Sequence, residues 1–521
     1  MRRTIGALAG ATALGAVLVL AGRSSPVAQA AETVGDCEAL ARLSLPHVTL
    51  TEAKVVPAGG TGGHGLPAYC KVLGTSRPST DSEIRFEVAI PVGGAWNGRY
   101  LQVGNGGFAG TIPETSLFLG LAAGYAVAGT DDGHATANVT DASWAMGHPE
   151  KVIDFGWRAL KETTDAAKPI LAAYEGRAAK YSYFAGCSDG GREALMEAQR
   201  YPGDFDGIVA GDPANNMTHL LTAAAWNVQA LNETPQSYVP AAKLKAVEAA
   251  ALKACGDETG VIENPLACRF DPAVIHCTSG DTNACLTDPQ VAALRKIYAG
   301  AKNPRTGAKI LDGYDPGGEG EGGGWAPWMV GFAPALKDKA LLPEFGRNFF
   351  AYMVHADPAY DVRRVDFAKD VGPVDARFAA ALNSNDPDLS AFRKHGGKLI
   401  QYHGWADPAI PPRDSIRYFK SVRAKMGDTA AFYRLFMAPG MLHCGGGPGP
   451  NELPTLAAIS DWVEKGKAPD QLVATKLAGN APGGTVERTR PLCPFPKVAA
   501  WDGKGDKARA ESFRCVAAPK A

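Results

Sequence analysis

Hydrophobic and polar positions along the chain form short segments that predict strands and helices in turn. In EIRFEVAIPV (83–92), apolar side chains occupy every second position, which predicts a half-buried strand. The segment KYSYFAGCSDGGREALMEAQRY (180–201) predicts a strand, a tight turn and a helix. Strands that alternate with helices indicate an α/β domain with a mostly parallel sheet.

The pattern changes in the middle third of the chain. There an Ala/Leu-rich helical stretch leads into a cysteine-dense segment and then into a glycine tract, DPGGEGEGGGWAPWMVGF (315–332). Clear alternation of strands and helices resumes near Lys398. We therefore predict a sheet-based core in two parts, 31–215 and 371–521, interrupted by an inserted domain, 216–370.

The first 30 residues predict a secretory signal peptide. Two arginines precede an apolar run from Ile5 to Ala21, and Ala28-Gln29-Ala30 has the small-residue spacing of a cleavage site. The alternative is a retained anchor, although the run is short for a membrane span. We expect a secreted protein, extracellular or periplasmic, with no membrane association after cleavage near Ala30.

Charge and cysteine content narrow the classes of protein. The formal net charge of −1 over 521 residues argues against a nucleic-acid partner, which usually requires clustered Lys and Arg in excess. In an exported protein, the even count of 10 cysteines predicts five disulfides. Because no CxxC pair or suitably spaced histidine accompanies them, we expect no zinc site.

Gly186-Cys187-Ser188-Asp189-Gly190 matches the pattern G-x-S-x-G of a nucleophile elbow. The pattern alone is weak in a chain with 61 glycines. It stands, however, between a predicted strand and a predicted helix, which is the context that an elbow requires. We interpret Ser188 as the candidate nucleophile; the alternative is an ordinary glycine-rich turn.

An aspartate and a histidine follow the serine in the chain order expected for this kind of site. Asp407 lies in YHGWADPAIPP after a predicted strand, and His443 lies in APGMLHCGGG after another. Asp407 could instead only initiate an Asp-Pro turn, and His443 could be a surface residue. His403 and His134 fit the expected order less well.

Two cysteines adjoin the candidate catalytic residues. Cys187 precedes Ser188, and Cys444 follows His443. A disulfide between them would place their Cα atoms about 4.4 to 6.8 Å apart, and each Cα is about 3.8 Å from that of its neighbour. We hypothesise that this bridge holds the serine and the histidine together.

These segments, together with RTRPLCPFP (488–496), resemble the tannase and feruloyl esterase family of α/β hydrolases, over nearly the whole chain beyond the signal segment. The resemblance implies an α/β-hydrolase core with a mostly parallel sheet and a large lid, which corresponds to 216–370. It also implies a serine carboxylic-ester hydrolase in which Ser188 is the nucleophile, His443 the base and Asp407 its orienting partner.

The resemblance implies further site features. The oxyanion hole would use the backbone N–H of Asp189, with that of Gly107 as the second donor and Gly106 as the alternative. The implied disulfides, besides Cys187–Cys444, are Cys37–Cys70, Cys255–Cys268, Cys277–Cys285 and Cys493–Cys515.

A calcium site in the lid is known for many relatives, in the loop that corresponds to CGDETGVIENPLAC (255–268). Only Asp257, Glu258 and Glu263 are acidic in this loop, whereas calcium takes six to eight oxygen ligands. We expect a solvated disulfide loop, no metal and no required cofactor, with a structural calcium as the alternative.

Substrates in the family are feruloyl and other hydroxycinnamoyl esters, galloyl esters of tannins, and terephthalate monoesters. Trp325, Trp328 and Phe332 are candidates to stack on an aromatic acyl group, unless they form the core of the lid. No Lys or Arg lies between Lys309 and Lys337, which favours a feruloyl or galloyl ester over a terephthalate monoester. The ester could be free or attached to plant polysaccharide or tannin.

Two other functions remain open from the sequence. A catalytically silent, exported binding protein could use the same scaffold, and a peptidase could use the same three residues. The intact elbow and the three candidate catalytic residues favour an esterase over the silent protein.

Overall fold

The structure is a computed structural model that describes residues 35–59 and 65–518. The predicted signal peptide, 1–30, lies outside these ranges. Within them, the main sheet contains nine strands: β1 (Val48–Val56), β2 (Tyr69–Ser76), β3 (Ile84–Pro91), β4 (Arg99–Val103), β5 (Ala126–Thr130), β6 (Tyr181–Cys187), β7 (Gly207–Gly211), β8 (Lys398–Gly404) and β9 (Tyr433–Ala438).

The strand order is β1-β2-β3-β5-β4-β6-β7-β8-β9. The pairs β1–β2, β2–β3 and β3–β5 are antiparallel. The remaining pairs, β5–β4, β4–β6, β6–β7, β7–β8 and β8–β9, are parallel. The α/β-hydrolase fold with a mostly parallel sheet is therefore confirmed. Because β6, β7, β8 and β9 run in the same direction, their carboxyl ends meet at one edge of the sheet.

β3 is more deeply buried than its alternating pattern predicts. Arg85 is exposed, but Glu87, also a polar position, is only 3% exposed. Its carboxylate lies 3.2 Å from the Nζ atom of Lys71 on β2. Both faces of β3 are covered, because Phe86 and Val88 on one face and Ala89 on the other belong to hydrophobic clusters. The buried carboxylate of Glu87 is accommodated by the ion pair with Lys71.

The α-helices of the protein include those that cover both faces of the sheet and those of the long segment between β7 and β8. Among the described residues they are α1 (Glu114–Ala122), α2 (Pro149–Ile153), α3 (Ala159–Glu175), α4 (Asp189–Arg200), α5 (Met217–Leu231), α6 (Ala241–Cys255), α7 (Asp288–Ala299), α8 (Leu341–Asn348), α9 (Val371–Leu382), α10 (Ser390–His395), α11 (Pro412–Met426) and α12 (Thr455–Lys465). Residues of α3, α4 and α11 pack on one face and residues of α1 and α12 on the other. None of these helices has the length and apolar character needed to cross a membrane.

The chain leaves the sheet after β7 and returns at β8, so 212–397 form one long excursion. The predicted lid, 216–370, falls within it, and its bounds stay a prediction. Leu244 of α6, Ile297 of α7 and the buried Trp325 belong to a hydrophobic cluster formed within this segment. A second cluster joins α5 and α8–α9 residues to Phe108 and Ile410 of the core.

Two small antiparallel sheets complete the C-terminal part. They pair β10 (Leu472–Leu477) with β11 (Val486–Leu492), and β12 (Lys497–Trp501) with β13 (Phe513–Ala517). Five disulfides link the ten cysteines, in the pairs Cys37–Cys70, Cys187–Cys444, Cys255–Cys268, Cys277–Cys285 and Cys493–Cys515. These are the pairs that the sequence analysis anticipated.

Candidate active site

Ser188 occupies the turn between β6 and α4, in a strained backbone conformation. Its φ angle is 66°, a value that residues other than glycine rarely adopt. A Cβ atom on Gly186 would lie 2.4 Å from the carbonyl oxygen of Gly190, and one on Gly190 would lie 2.8 Å from that of Asn105. The two glycines of the motif are therefore required for the turn to close, as a nucleophile elbow demands.

The structure brings the three candidate catalytic side chains together. Asp407 follows β8 and His443 follows β9, so both reach the same edge of the sheet as Ser188. His443 Nε2 lies 2.8 Å from Ser188 Oγ, and His443 Nδ1 lies 2.8 Å from Asp407 Oδ2. The geometry is that of a nucleophile, a base and the group that orients the base.

The backbone after β8 fixes the Asp407 side chain. Its Oδ1 accepts hydrogen bonds from the N–H groups of Ala409 (2.7 Å) and Ile410 (3.0 Å). The Asp-Pro turn is thus also present, and it orients the carboxylate towards His443. The turn and the proposed catalytic role of Asp407 are compatible.

The electrostatics of the pair favour an ionised aspartate. Burial acts to raise the pKa of Asp407, but the neighbouring His443 and His403 outweigh burial and hold that pKa well below its ordinary value. Burial likewise acts to lower the pKa of His443, and Asp407 outweighs it, so that this pKa is raised. The imidazole is therefore more basic than a free histidine.

His403 provides a second neighbour for the aspartate. Its Nε2 lies 3.2 Å from Asp407 Oδ2, and its Nδ1 lies 2.7 Å from Ser415 Oγ. His403 is fully buried and makes no hydrogen bond to Ser188 or His443. Its contact with Asp407 therefore helps to orient that carboxylate rather than to act on the serine. This is the part of the site that the sequence analysis set aside.

Asp212 was not identified from the sequence, although it adjoins the site. It follows β7, and its Oδ1 accepts from the N–H of Gly404 (2.7 Å) at the end of β8. Its Oδ2 accepts from the N–H of Cys444 (2.6 Å) in the loop that carries His443. The available signal was the short apolar segment GIVAG (207–211) directly before it, which forms β7. Asp407 likewise follows a strand, in the loop after β8.

The disulfide beside the candidate catalytic residues joins the elbow to the histidine loop. The Cα atoms of Cys187 and Cys444 are 5.9 Å apart, and 257 residues separate them in the chain. Each cysteine adjoins one member of the Ser188–His443 hydrogen bond. The bridge therefore restrains the separation of the two backbones that carry this bond.

Three backbone N–H groups near Ser188 make no hydrogen bond to any residue in the described part of the chain: those of Gly106, Gly107 and Asp189. All three residues line the cavity at Ser188. Gly107 has a φ angle of 62°, and a Cβ atom there would lie 2.6 Å from the carbonyl oxygen of Val139. These N–H groups are the available donors for an oxyanion.

A buried polar network holds the loop before these glycines. Asn105 accepts from the N–H of Gly190 (2.8 Å) and donates its own N–H to Glu193 Oε2 (3.0 Å). Its side-chain nitrogen donates to Asp132 Oδ2 (3.1 Å). Burial raises the pKa of Glu193 to about 7. The sequence analysis did not find this network, because its members are separated in the chain and match no motif.

The cavity at Ser188 has a volume of about 320 Å³. Its wall on the lid side comes from α5, α8 and the turn at Trp328. The apolar side chains that line it are Phe108, Val139, Ala214, Met217, Leu220, Leu221, Trp328, Leu341, Leu342, Phe345, Ala409 and Ile410. This size and composition suit a small apolar ligand.

Of the three aromatic residues predicted to contact substrate, only Trp328 lines the cavity. Its ring centroid lies 5.0 Å from that of His443, in an edge-to-face arrangement. Trp325 is 2% exposed and packs against Tyr298 and Tyr314, so it belongs to the lid core. Phe332 is 66% exposed and does not line the cavity. The structure corrects the expectation for these last two residues.

The acids of the 255–268 loop do not form a cluster that could hold a metal ion within the described residues. Glu258 lies 2.8 Å from Lys507, and Glu263 lies 3.1 Å from Arg490. Asp257 accepts a hydrogen bond from the N–H of Thr259 (2.8 Å). These residues do not fit a calcium cage of six to eight oxygens.

The sheet order, the elbow and the order serine, aspartate, histidine along the chain define the α/β-hydrolase class. A family model described as tannase and feruloyl esterase matches residues 70–516. The chain therefore belongs to the tannase and feruloyl esterase family, and it is an esterase.

Individual relatives cover most of the chain. An uncharacterised esterase from Xanthomonas campestris is 41% identical over 98% of this chain and 94% of that protein. The mono(2-hydroxyethyl) terephthalate hydrolase of Piscinibacter sakaiensis is 33% identical over 87% of this chain and 86% of that protein. The crystal structure of feruloyl esterase B from Aspergillus oryzae has a TM-score of 0.81 at 26% identity, and it covers 94% of this chain and 100% of that chain.

Proposed function

We propose that this protein is a secreted serine esterase that cleaves aromatic carboxylic esters through an acyl-enzyme at Ser188. The observation that carries the proposal is the continuous hydrogen-bonded chain from Ser188 Oγ through His443 to Asp407, with 2.8 Å at each step. It lies beside an apolar cavity large enough for an aromatic group.

The reaction follows from these contacts. His443 Nε2 accepts the proton of Ser188 as its Oγ attacks the ester carbonyl carbon, and then gives that proton to the leaving alcohol. Water repeats the sequence on the acyl-enzyme and releases the acid. Asp407 accepts the hydrogen bond from His443 Nδ1, which leaves Nε2 free to act as the base.

The oxyanion is stabilised by backbone donors. The N–H of Asp189, at the start of α4, is the first, and that of Gly107 is the second, with Gly106 as the neighbour that could replace it. Their N–H groups have no other partner in the described part of the chain. They are thus available before substrate arrives, which is what preorganised stabilisation requires.

Export is supported by two features. The first 30 residues have the pattern of a signal peptide, and five disulfides are typical of proteins outside the reducing cytosol. The relatives' names support an aromatic substrate, since they include a feruloyl esterase and a terephthalate monoester hydrolase.

The test is a set of hydrolysis assays with methyl ferulate, methyl gallate, a terephthalate monoester and 4-nitrophenyl acetate. Hydrolysis of at least one aromatic methyl ester is expected. A matched set of aromatic amides distinguishes an esterase from a peptidase, because a peptidase would cleave the amides at rates comparable to those of the esters. Binding of aromatic esters without any turnover would indicate a silent binding protein and would contradict the proposal.

A further inference from the structure

The two proposed oxyanion donors come from different segments of the chain, and Asn105 links these segments. Asp189 begins α4, whereas Gly107 lies in the loop after β4. The carbonyl oxygen of Asn105 accepts from the N–H of Gly190 (2.8 Å), and the N–H of Asn105 donates to Glu193 Oε2 (3.0 Å). Both bonds join the loop to α4. The position of one oxyanion donor relative to the other therefore depends on how firmly Asn105 is held.

The side chain of Asn105 is held from a third segment, the end of β5. Its Nδ2 donates to the carbonyl oxygen of Thr130 (2.6 Å) and to Asp132 Oδ2 (3.1 Å). Asp132 has a φ angle of 60°, so its backbone is strained to bring the carboxyl group into this place. Asn105 is thus bonded to two carboxyl groups at once, those of Asp132 and Glu193.

These two carboxyl groups are buried without a cation of their own. Asp132 and Glu193 are both 0% exposed, and neither forms an ion pair with any residue that the structure describes. The nearby guanidinium of Arg192 is bonded to both oxygens of Asp189, at 2.5 and 3.1 Å, and to two backbone carbonyl oxygens. Two ionised carboxylates side by side in such a place repel each other, which favours a state that retains one proton.

The hydrogen bonding indicates where that proton lies. Asp132 Oδ1 and Glu193 Oε1 are buried and accept no hydrogen bond from a donor in the described chain, yet the two carboxyl groups are in hydrogen-bonding contact with each other. Two carboxylates cannot bond in this way, since neither has a proton to donate. Burial raises the pKa of both groups, and a neighbouring carboxylate raises it further: Glu193 for Asp132, and Asp189 for Glu193.

Resting on the proposed esterase function, we propose that Asp132 and Glu193 share one proton and act as positioning residues for the oxyanion hole. The shared proton joins the turn after β5 to α4 through a carboxyl–carboxylate hydrogen bond. Asn105 is held between the two groups, and this fixes the N–H of Gly107 relative to that of Asp189. Oxygens of Asp132, Asp189 and Glu193 lie within 4.8 Å of one another, but the bonds from Arg192 to Asp189 oppose a metal ion there.

Amide substitutions test the shared proton, because an amide keeps the shape of a carboxyl group and carries its own N–H donor. In Asp132→Asn, the amide nitrogen can donate to Glu193 while the amide oxygen still accepts from Asn105. In Glu193→Gln, the nitrogen donates to Asp132 instead. Each single variant should therefore keep a kcat close to that of the wild type, with 4-nitrophenyl acetate and with an aromatic ester.

The double variant, Asp132→Asn with Glu193→Gln, should lose activity. Asn105 needs both amide oxygens as acceptors, so the two amide nitrogens face each other and a buried donor is left without an acceptor. We expect kcat to fall on the order of 100-fold, because Gly107 is misplaced. A double variant as active as the singles would overturn the proposal, since it would show that removing charge is sufficient.

The matched control combines Asp132→Asn with Glu197→Gln. Glu197 lies one turn further along α4 and is also 0% exposed, and its carboxyl oxygens bond to no donor in the described chain. This variant has the same number of substituted acids but leaves the bond between positions 132 and 193 intact. Its kcat should equal that of Asp132→Asn alone; a loss as large as that of the first double variant would overturn the proposal.

A transition-state mimic distinguishes a role in the oxyanion hole from a general loss of structure. Phenyl trifluoromethyl ketone adds to a nucleophilic serine and forms a tetrahedral oxyanion, whereas acetophenone stays trigonal. In the double variant, the inhibition constant of the trifluoromethyl ketone should rise about 100-fold, with little change for acetophenone. An equal change for both ketones would contradict a positioning role.

Infrared spectroscopy provides a measurement that needs only the single variants. Relative to the wild type at neutral pH, Asp132→Asn and Glu193→Gln should each lose the C=O stretching band of one protonated carboxyl group. Unchanged bands in both variants would mean that the pair is fully ionised, and the proposal would be wrong. Loss of activity in both single variants, and in the wild type on treatment with a metal chelator, would show a metal ion in place of the proton and would also overturn it.

These results also separate the proposal from the function on which it rests. If the wild type hydrolyses no ester, the proposed esterase function fails, and the positioning role fails with it. If the wild type is an active esterase and the double variant keeps its full activity, the esterase function stands and only the positioning role is wrong.

Discussion

The sheet edge that carries the candidate catalytic residues and the lid side of the cavity are stabilised by different kinds of contact. At the sheet edge, Ser188, His443 and Asp407 are fixed by directional hydrogen bonds, by a disulfide and by a required backbone geometry. On the lid side, α5 and α8 contribute apolar side chains that pack without such bonds. The two sides of the cavity should therefore differ in how well they tolerate amino-acid substitutions.

We expect this difference to make the sheet edge control the rate of the reaction and the lid side control which ester is preferred. A polar group that must lie within hydrogen-bond distance of its partner loses function when it moves by about 1 Å, whereas apolar contacts change gradually with shape. We therefore expect substitutions at the sheet edge to affect turnover of every ester. Substitutions on the lid side should mainly change which ester is preferred.

Ser188→Ala is expected to have the largest effect. Removing the nucleophile should lower kcat by about 10⁶-fold, and because no core volume is lost the thermal melting temperature should stay close to that of the wild type. The measurement is the hydrolysis of 4-nitrophenyl acetate. Ser421→Ala, on α11, is the matched control and should retain activity; near-normal turnover in Ser188→Ala would remove the serine from the mechanism.

Asp407→Asn is expected to lower kcat by about 10⁴-fold, because an amide favours the wrong tautomer of His443. Asp414→Asn serves as the control: its carboxylate lies 3.1 Å from Arg417 and makes no hydrogen bond to His443. A loss of only a few-fold in Asp407→Asn, with a large loss in the control, would point to Asp414 as the orienting acid.

The pH profile of the same variant has a definite sign. The base must be neutral, so wild-type kcat/KM falls as the pH drops through the raised pKa of His443. Because Asp407 raises this pKa, its removal should move the acidic limb of the residual activity to lower pH. A limb that moves to higher pH would contradict the electrostatic account.

Removal of the Cys187–Cys444 disulfide by a double alanine substitution should lower kcat on the order of 100-fold, since it releases the two backbones that carry the Ser188–His443 bond. Chain entropy also predicts a loss of up to about 5 kcal/mol in the free energy of unfolding, so kinetics are measured below both melting temperatures. Replacing Cys277 and Cys285, which close a short lid loop, is the control. Wild-type turnover without the catalytic bridge, or a free thiol at either position in the native protein, would disprove its role.

Two tryptophans of the lid should give the smallest and most selective effects. Trp328→Ala is expected to raise KM for aromatic esters by about 10-fold, with less change for 4-nitrophenyl acetate, because its ring lines the cavity. Trp325→Ala should instead lower the free energy of unfolding by about 3 to 5 kcal/mol, since this ring is buried in the lid core. Equal effects of the two variants on KM would mean that the cavity wall has been misassigned.

Much of the sheet edge could be predicted from the sequence because its chemistry imposes local patterns. The elbow needs Gly186 and Gly190 in the turn around Ser188, and strand ends place Asp407 and His443 nearby. Asp212 and the Asn105 network escaped prediction, since their bonds join segments far apart in the chain. The burial of Glu87 escaped for the same reason: its partner Lys71 lies on another strand.

The roles of the lid's aromatic residues were harder to predict. Their pattern along the sequence is the same whether they form a core or line a binding surface. Trp325 and Trp328 are three residues apart, yet one is buried in the lid and the other lines the cavity. Only the packing of α7 and α8 around them decides this. The sequence indicated a change of pattern in the segment between β7 and β8, but not the direction in which each ring points.

Covalent labelling tests the central claim most directly. The protein is treated with a fluorophosphonate, which reacts with an activated serine, and the site of modification is identified by peptide mass spectrometry while residual esterase activity is followed. We predict one adduct per chain, on Ser188, with activity lost in parallel, and much slower labelling in His443→Ala. Full esterase activity without an adduct on Ser188, or loss of activity through modification of another residue, would contradict the proposed mechanism.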